Sequence, residues 1–314
     1  MGKFTECSAR KSSLSRVFNG SVSDFKEWSK TQNLMNNRAE ANVMYVPTPH
    51  EHWANTASHA VMIIPSILAN EFLIEQARYK FDNDATFSMN NLTCQDTATA
   101  YNCTVHIQNH FTPSYSQYEF CSRAYGISLI SLFMVSTLFH WISFTQSSWR
   151  PKSHAGCSIR RPSLNKLFHV CDRTTIYFFI AGSYTPWLIL INLPDKIVWL
   201  RWGIWVAAIL GTTYTFMFLE KYKLLDTLLY VAVGLVPGVA TYLYTTDDSG
   251  SVSGIFELCV GGAFYLSGVV IFKCDGIIPF AHAIWHLFVA LGAFTHYYGV
   301  YKHFYQSSVQ YSVL

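Results

Sequence analysis

Apolar stretches of near-constant length recur along the chain, at about 57–76, 124–144, 164–192, 199–218, 224–244, 254–272 and 279–300. Roughly 20 predominantly apolar residues are enough for a helix to cross the ~30 Å hydrocarbon core of a bilayer. The pattern therefore predicts an all-α fold, a bundle of seven transmembrane helices. Pro65, Pro186 and Pro237 fall inside spans, where neighbouring helices can satisfy the backbone groups a proline frees. Two polar stretches interrupt the series. Residues 1–50 read as a flexible cytosolic arm and about 79–121 as a lumenal insertion. Residues 51–306 then form the membrane domain, and 307–314 a short tail.

Composition agrees with this picture. The chain is 51% hydrophobic and only 13% charged, where soluble domains carry about 25%. Its mean hydropathy of +0.19 is modest because the two polar stretches lower the average. A net charge of +3 without a basic, aromatic-interleaved stripe excludes nucleic acid as a partner. No signal-peptide core precedes the first span, and Glu6 rules out a myristoylation start at Met1-Gly2.

Charge bias predicts the orientation. Arg150, Lys152, Arg160, Arg161 and Lys166 follow the second span, and Glu220-Lys-Tyr-Lys223 follows the fourth. The connection after the fifth carries Asp247-Asp248 and neither Lys nor Arg. Positive loops stay cytosolic, so the N-terminus is expected inside and the C-terminus lumenal or extracellular. The 79–121 stretch then faces the lumen. It holds the sequons Asn91-Leu-Thr93 and Asn102-Cys-Thr104, whereas Asn19-Gly-Ser21 sits on the wrong side. Cys94 and Cys103 share that oxidising side with Cys121 nearby, so more than one pairing is open. The eight cysteines contain no CxxC, which argues against a zinc ribbon or redox motif.

Candidate chemistry lies in the stretch Cys274-Asp-Gly-Ile-Ile-Pro-Phe-Ala-His-Ala-Ile-Trp-His286. Asp275-Gly276 reads as a turn, and Pro279 suits a first helical turn. His282 and His286, four residues apart, fall on one helix face. Ionisable residues at membrane depth are costly and mark functional sites. By topology, His140 and Ser136 near the end of the second span and Asp172 near the start of the third share that depth. Each lies about 5–12 Å in from its helix end at ~1.5 Å per residue. Three histidines leave a fourth position on zinc for water or substrate. Asp172 and Ser136 are then expected to orient the bound water or a histidine N–H, or Asp172 to act as general base.

Blander readings compete. An isolated HxxxH is usually structural, and Ser136 could be a packing hydroxyl. Haem needs facing imidazole pairs rather than a cluster of three. His169 is expected at the membrane interface, and His59 and Asn55 as interhelical hydrogen-bonding residues. Trp199, Trp202 and Trp205 are expected in an interfacial belt. His296 and His303 approach the other leaflet. GxSxG, Walker, Rossmann and kinase signatures do not occur.

These residues resemble a known family. Ser136-x3-His140, Cys171-Asp-Arg and Asp275-Gly-Ile-Ile-Pro-Phe-Ala-His-Ala-Ile-Trp-His-Leu-Phe-Val-Ala290 are similar to the shared motifs of the progestin and adipoQ receptor (haemolysin III-like) family. Asn37-Arg-Ala, Glu51-His, Asn55, His59 and Glu220-Lys-Tyr-Lys extend the match, which covers about 36–78 and 121–306. The resemblance implies seven helices and an inward N-terminus. It implies Zn2+ on His140, His282 and His286, with Asp172 and Ser136 beside it. It also implies receptor-like signalling, a lipid ligand or substrate, membrane-protein partners, and Golgi or late endosomal/lysosomal membranes rather than the plasma membrane. One branch of the family is linked to ceramide hydrolysis. Here Glu51 precedes Asn55 by four residues where that branch has three, and the 79–121 insertion is absent from compact relatives.

Overall fold

The computed structural model describes residues 34–39, 45–90, 93–97, 100–104, 113–148, 162–218, 221–245 and 254–306. The described residues form seven long α-helices: α1 Pro49–Asn90, α2 Tyr115–Ser148, α3 Pro162–Ile189, α4 Leu200–Phe218, α5 Lys223–Thr245, α6 Ile255–Phe272 and α7 Ala281–Val300. A π-helical turn, Tyr301–Tyr305, continues α7. Among the described residues, four helices are long and apolar enough to cross a membrane by length and composition: α1, α2, α5 and α6. In α3 and α7, Asp172, Arg173, His282, His286 and His296 dilute the apolar pattern.

Helix ends differ most from expectation at the two extremes of the 79–121 stretch. α1 runs through it to Asn90, and its 42 residues extend to about 63 Å, twice a hydrocarbon core. α2 begins at Tyr115 rather than near Ala124. Between them β1 (Thr93–Thr97) pairs antiparallel with β2 (Ala100–Thr104), a small departure from an all-α chain. The register sets Cys94 opposite Cys103, while Cys121 is a free, fully buried thiol on α2. The sequons at Asn91 and Asn19, the charged loop residues 150–161, Glu220 and Asp247-Asp248 lie outside the described residues.

The start of α1 is built by a reciprocal cap. Thr48 Oγ1 accepts from the Glu51 N–H at 3.2 Å, and Glu51 Oε2 accepts from the Thr48 N–H at 2.8 Å. This is a capping box with Pro49 at the first helical position, where no N–H is needed. The preceding segment is tied to it. Tyr45 donates its hydroxyl to Glu51 at 2.9 Å, and Asn36 donates to both Tyr45 and Val46. Burial, with the Glu51 carboxylate adding to it, pushes the Tyr45 phenol well above its ordinary value. Met35 is buried beneath this strap.

α1 packs against α2 and α7, α2 against α3, and α6 against α7. One apolar core joins them through Leu73, Tyr125, Phe133, Phe179, Trp187 and Val289, and a second joins α3 to α4 through Tyr177, Leu188 and Ile204. Tyr305 locks the far end of the bundle: its hydroxyl donates to the Tyr118 carbonyl at 3.2 Å and meets Ser122 Oγ at 3.0 Å. The turn expected at Asp275-Gly276 is present, with Gly276 at φ +72. A Cβ there would meet the Arg38 backbone at 2.4 Å, so the strap and this turn touch only because the residue is glycine. Pro279 does not open α7. Phe280 adopts a left-handed conformation (φ 58) between them, and the helix starts one residue later, at Ala281.

Candidate metal centre

α7 starts immediately after the turn, so His282 and His286 occupy its first two turns and face inward together. α2 delivers His140 to the same point. The three ring centroids form a near-equilateral triangle of 5.0 Å (His140–His282), 5.1 Å (His140–His286) and 4.8 Å (His282–His286). One nitrogen from each ring lies within 4.8 Å of those of the other two, a group able to hold a metal ion. His140 and His286 are buried and His282 half-buried.

The donors fit a metal on chemical grounds. His140 Nε2 is buried without a hydrogen-bond partner, a costly state that an ion shared with the other two rings relieves. His286 Nδ1 is engaged by Ser58 Oγ at 2.8 Å and by the Asn55 carbonyl at 3.2 Å, which leaves Nε2 for the centre. Asp275 Oδ2 stands 3.6 Å from His282 Nδ1, just beyond hydrogen-bond range, and leaves that ring's Nε2 available in the same way.

Ser136 and Asp172 line the cavity that the three histidines share. Asp172 is within hydrogen-bonding reach of Ser136 and adjoins the Arg173 guanidinium. The cavity is large, about 1580 Å³, beyond the ~300–1,000 Å³ of drug-sized sites. Its walls are mostly apolar, with Val231, Leu235, Leu266 and Val289 among them, and the strap residues Arg38, Tyr45 and Val46 stand at one end.

Other candidates fall outside the triangle. His169 stacks on Phe139 at 5.1 Å and lines the cavity, but is not part of the three-histidine group. Asn55 reaches His286 through its carbonyl, the interhelical hydrogen bond expected of it, whereas His59 connects α1 to α7 by stacking on His286 at 3.7 Å with 18° between planes rather than by a hydrogen bond. His296 lies ten residues past His286, about 15 Å along the helix.

Sequence reasoning missed three contributors. Ser58 carries no motif. Asp275 was read only as a turn residue. Asp226 of α5 is buried and takes hydrogen bonds from Arg173 (3.1 Å), Thr215 (2.9 Å), Tyr230 (3.2 Å) and Tyr177 (3.4 Å). That network holds Arg173 beside Asp172. Its signal was an acidic residue inside an apolar span, the same signal that singled out Asp172.

The three-histidine group joins α2 to the start of α7 in a helical membrane protein, and the Haemolysin-III related family matches residues 48–297. The chain belongs to this family, also known as the progestin and adipoQ receptor family, and is a multi-pass membrane protein. It is 39% identical over 280 residues to Monocyte to macrophage differentiation factor of Homo sapiens, covering 89% of this chain and 95% of that protein. It is 33% identical over 190 residues to Hemolysin-3 of Bacillus cereus, covering 60% and 76% of the two chains. Hemolysin-3 homolog of Bacillus subtilis is 29% identical over 169 residues, or 54% and 70%. No solved structure matches the chain.

Proposed function

We propose that this chain is a receptor-like signalling protein of internal membranes, Golgi or late endosome and lysosome. In this reading seven helices span the bilayer with the N-terminus cytosolic, and a zinc site near the cytosolic face responds to a lipid in the adjoining cavity. The observation that carries it is the continuity of the three-histidine group with an apolar space large enough for a lipid. The Lys/Arg-rich connection after α2 and the acidic one after α5 support the orientation. His140, His282 and His286 supply the neutral nitrogens zinc prefers. The test is metal analysis of purified wild type beside His140→Ala and His286→Ala, with identification of co-purifying lipid. Stoichiometric zinc in wild type, lost in both variants, is the expected result; a metal-free, folded wild type rejects it.

A second reading, a zinc-dependent lipid-amide (ceramide-type) hydrolase, is favoured by the donor set. Structural zinc sites usually close all four positions with protein ligands, and three histidines leave one open. A zinc bound there would acidify water and polarise a carbonyl. In this reading Asp172 takes a proton from the attacking water and returns it to the leaving amine, and Ser136, within hydrogen-bonding reach, holds its carboxylate. Ceramide turnover by purified protein, abolished by Asp172→Asn with zinc retained, selects this reading. Zinc without turnover selects the receptor, or a scaffold in which zinc only staples the helices.

A further inference from the structure

The proton on His286 is placed by α1. Ser58 Oγ lies 2.8 Å from His286 Nδ1 and 3.0 Å from the carbonyl of Asn55 in its own helix. The Asn55 carbonyl also lies 3.2 Å from the same nitrogen. A carbonyl only accepts, so that contact puts the hydrogen on Nδ1. Ser58 Oγ then accepts from Nδ1–H and turns its own proton to the Asn55 carbonyl. A neutral imidazole protonated at Nδ1 keeps its lone pair on Nε2. Two acceptors one helical turn apart thus select one tautomer. The ring plane is fixed as well, because His59 stacks on it and is itself held edge-on by Phe133 at 5.1 Å.

We propose that Ser58 is a positioning residue of the metal centre. With the Asn55 carbonyl it sets the His286 tautomer and aims Nε2 at the ion shared with His140 and His282. The inference rests on the metal reading above and adds the residue that fixes the geometry of one ligand. The competing account is a helix hydroxyl bonding back to its own backbone, common in such helices and without influence on metal.

The test uses full-length purified protein and two readouts: zinc affinity by chelator competition, and the visible spectrum of the Co2+-substituted site. Ser58→Ala should lower zinc affinity about tenfold, the low end of the ~10–100-fold range for outer-shell partners, because the Asn55 carbonyl remains. The cobalt bands should shift, Ser58→Thr should restore both, and the unfolding midpoint of the metal-free protein shows that the variant is folded. Unchanged affinity and spectrum in a folded Ser58→Ala protein overturn the proposal. Should wild type take up no metal, the metal reading fails by itself. The tautomer is then read from the 15N shifts of His286 in the metal-free protein, assigned by their loss in His286→Gln. An Nδ1–H ring supports the placement, and an Nε2–H ring overturns it.

Discussion

His286 and His296 sit on one helix, ten residues apart, and both are buried. Their surroundings differ completely. His286 has three other imidazoles within about 5 Å, those of His140, His282 and the stacked His59, and hydrogen-bonding partners on α1. His296 meets the rings of Tyr125, Tyr184 and Trp187 at 5.8, 5.8 and 6.0 Å, and neither of its nitrogens has a partner. Burial and residue type are thus shared, and what separates the two is convergence. A candidate metal site needs several donors meeting at one point. An aromatic box around one imidazole is packing.

Four substitutions test this contrast. The largest effect is expected at the triangle: His286→Ala should abolish stoichiometric metal, a loss beyond the ~100-fold ceiling for outer-shell changes, measured by elemental analysis. Next comes the network behind Asp172. Asp226→Ala removes the carboxylate that accepts from Arg173, Thr215, Tyr177 and Tyr230, and should lower stability by about 3–5 kcal/mol in denaturant titration of the detergent-solubilised protein, by analogy with broken buried pairs. Asp275→Asn should weaken zinc by about tenfold while leaving unfolding unchanged, since its carboxylate stands near His282 without a full hydrogen bond. The smallest is His296→Phe, close in volume and shape, which should cost under about 1.5 kcal/mol and leave metal content intact. Loss of metal in that last variant would break the contrast.

Acidification offers an orthogonal check. Metal-bound imidazoles must be unprotonated, so protons compete with the ion, and occupancy should fall as pH drops. Chelator release followed across pH 5 to 8 should therefore accelerate toward the acid side.

Much of this was legible before any coordinates. The positions of α2, α3 and α7, and the meeting of His140 with His282 and His286, followed from counting spans and reading helical spacing. The long overrun of α1 did not, because polar residues after about 78 interrupt hydropathy without interrupting helix formation. The displaced start of α7 depends on Phe280 adopting a backbone conformation rare outside glycine and asparagine. Ser58 was invisible for a different reason: its role arises from where one hydroxyl proton goes, which only interatomic distances decide. The capping box Thr48-Pro-His-Glu51 was readable as Thr-x-x-Glu ahead of an apolar run, and it pins the helix that carries Ser58.

The strap before α1 has a mechanical corollary. Its backbone abuts Gly276, next door to Asp275, while its other end is tied through Tyr45 and Asn36 to the root of the helix bearing Ser58. Both histidine-steering segments of the last helix's neighbourhood therefore share a single tether from the chain's leading end. Deleting residues 34–39 would loosen both segments at once without touching any of the three histidines.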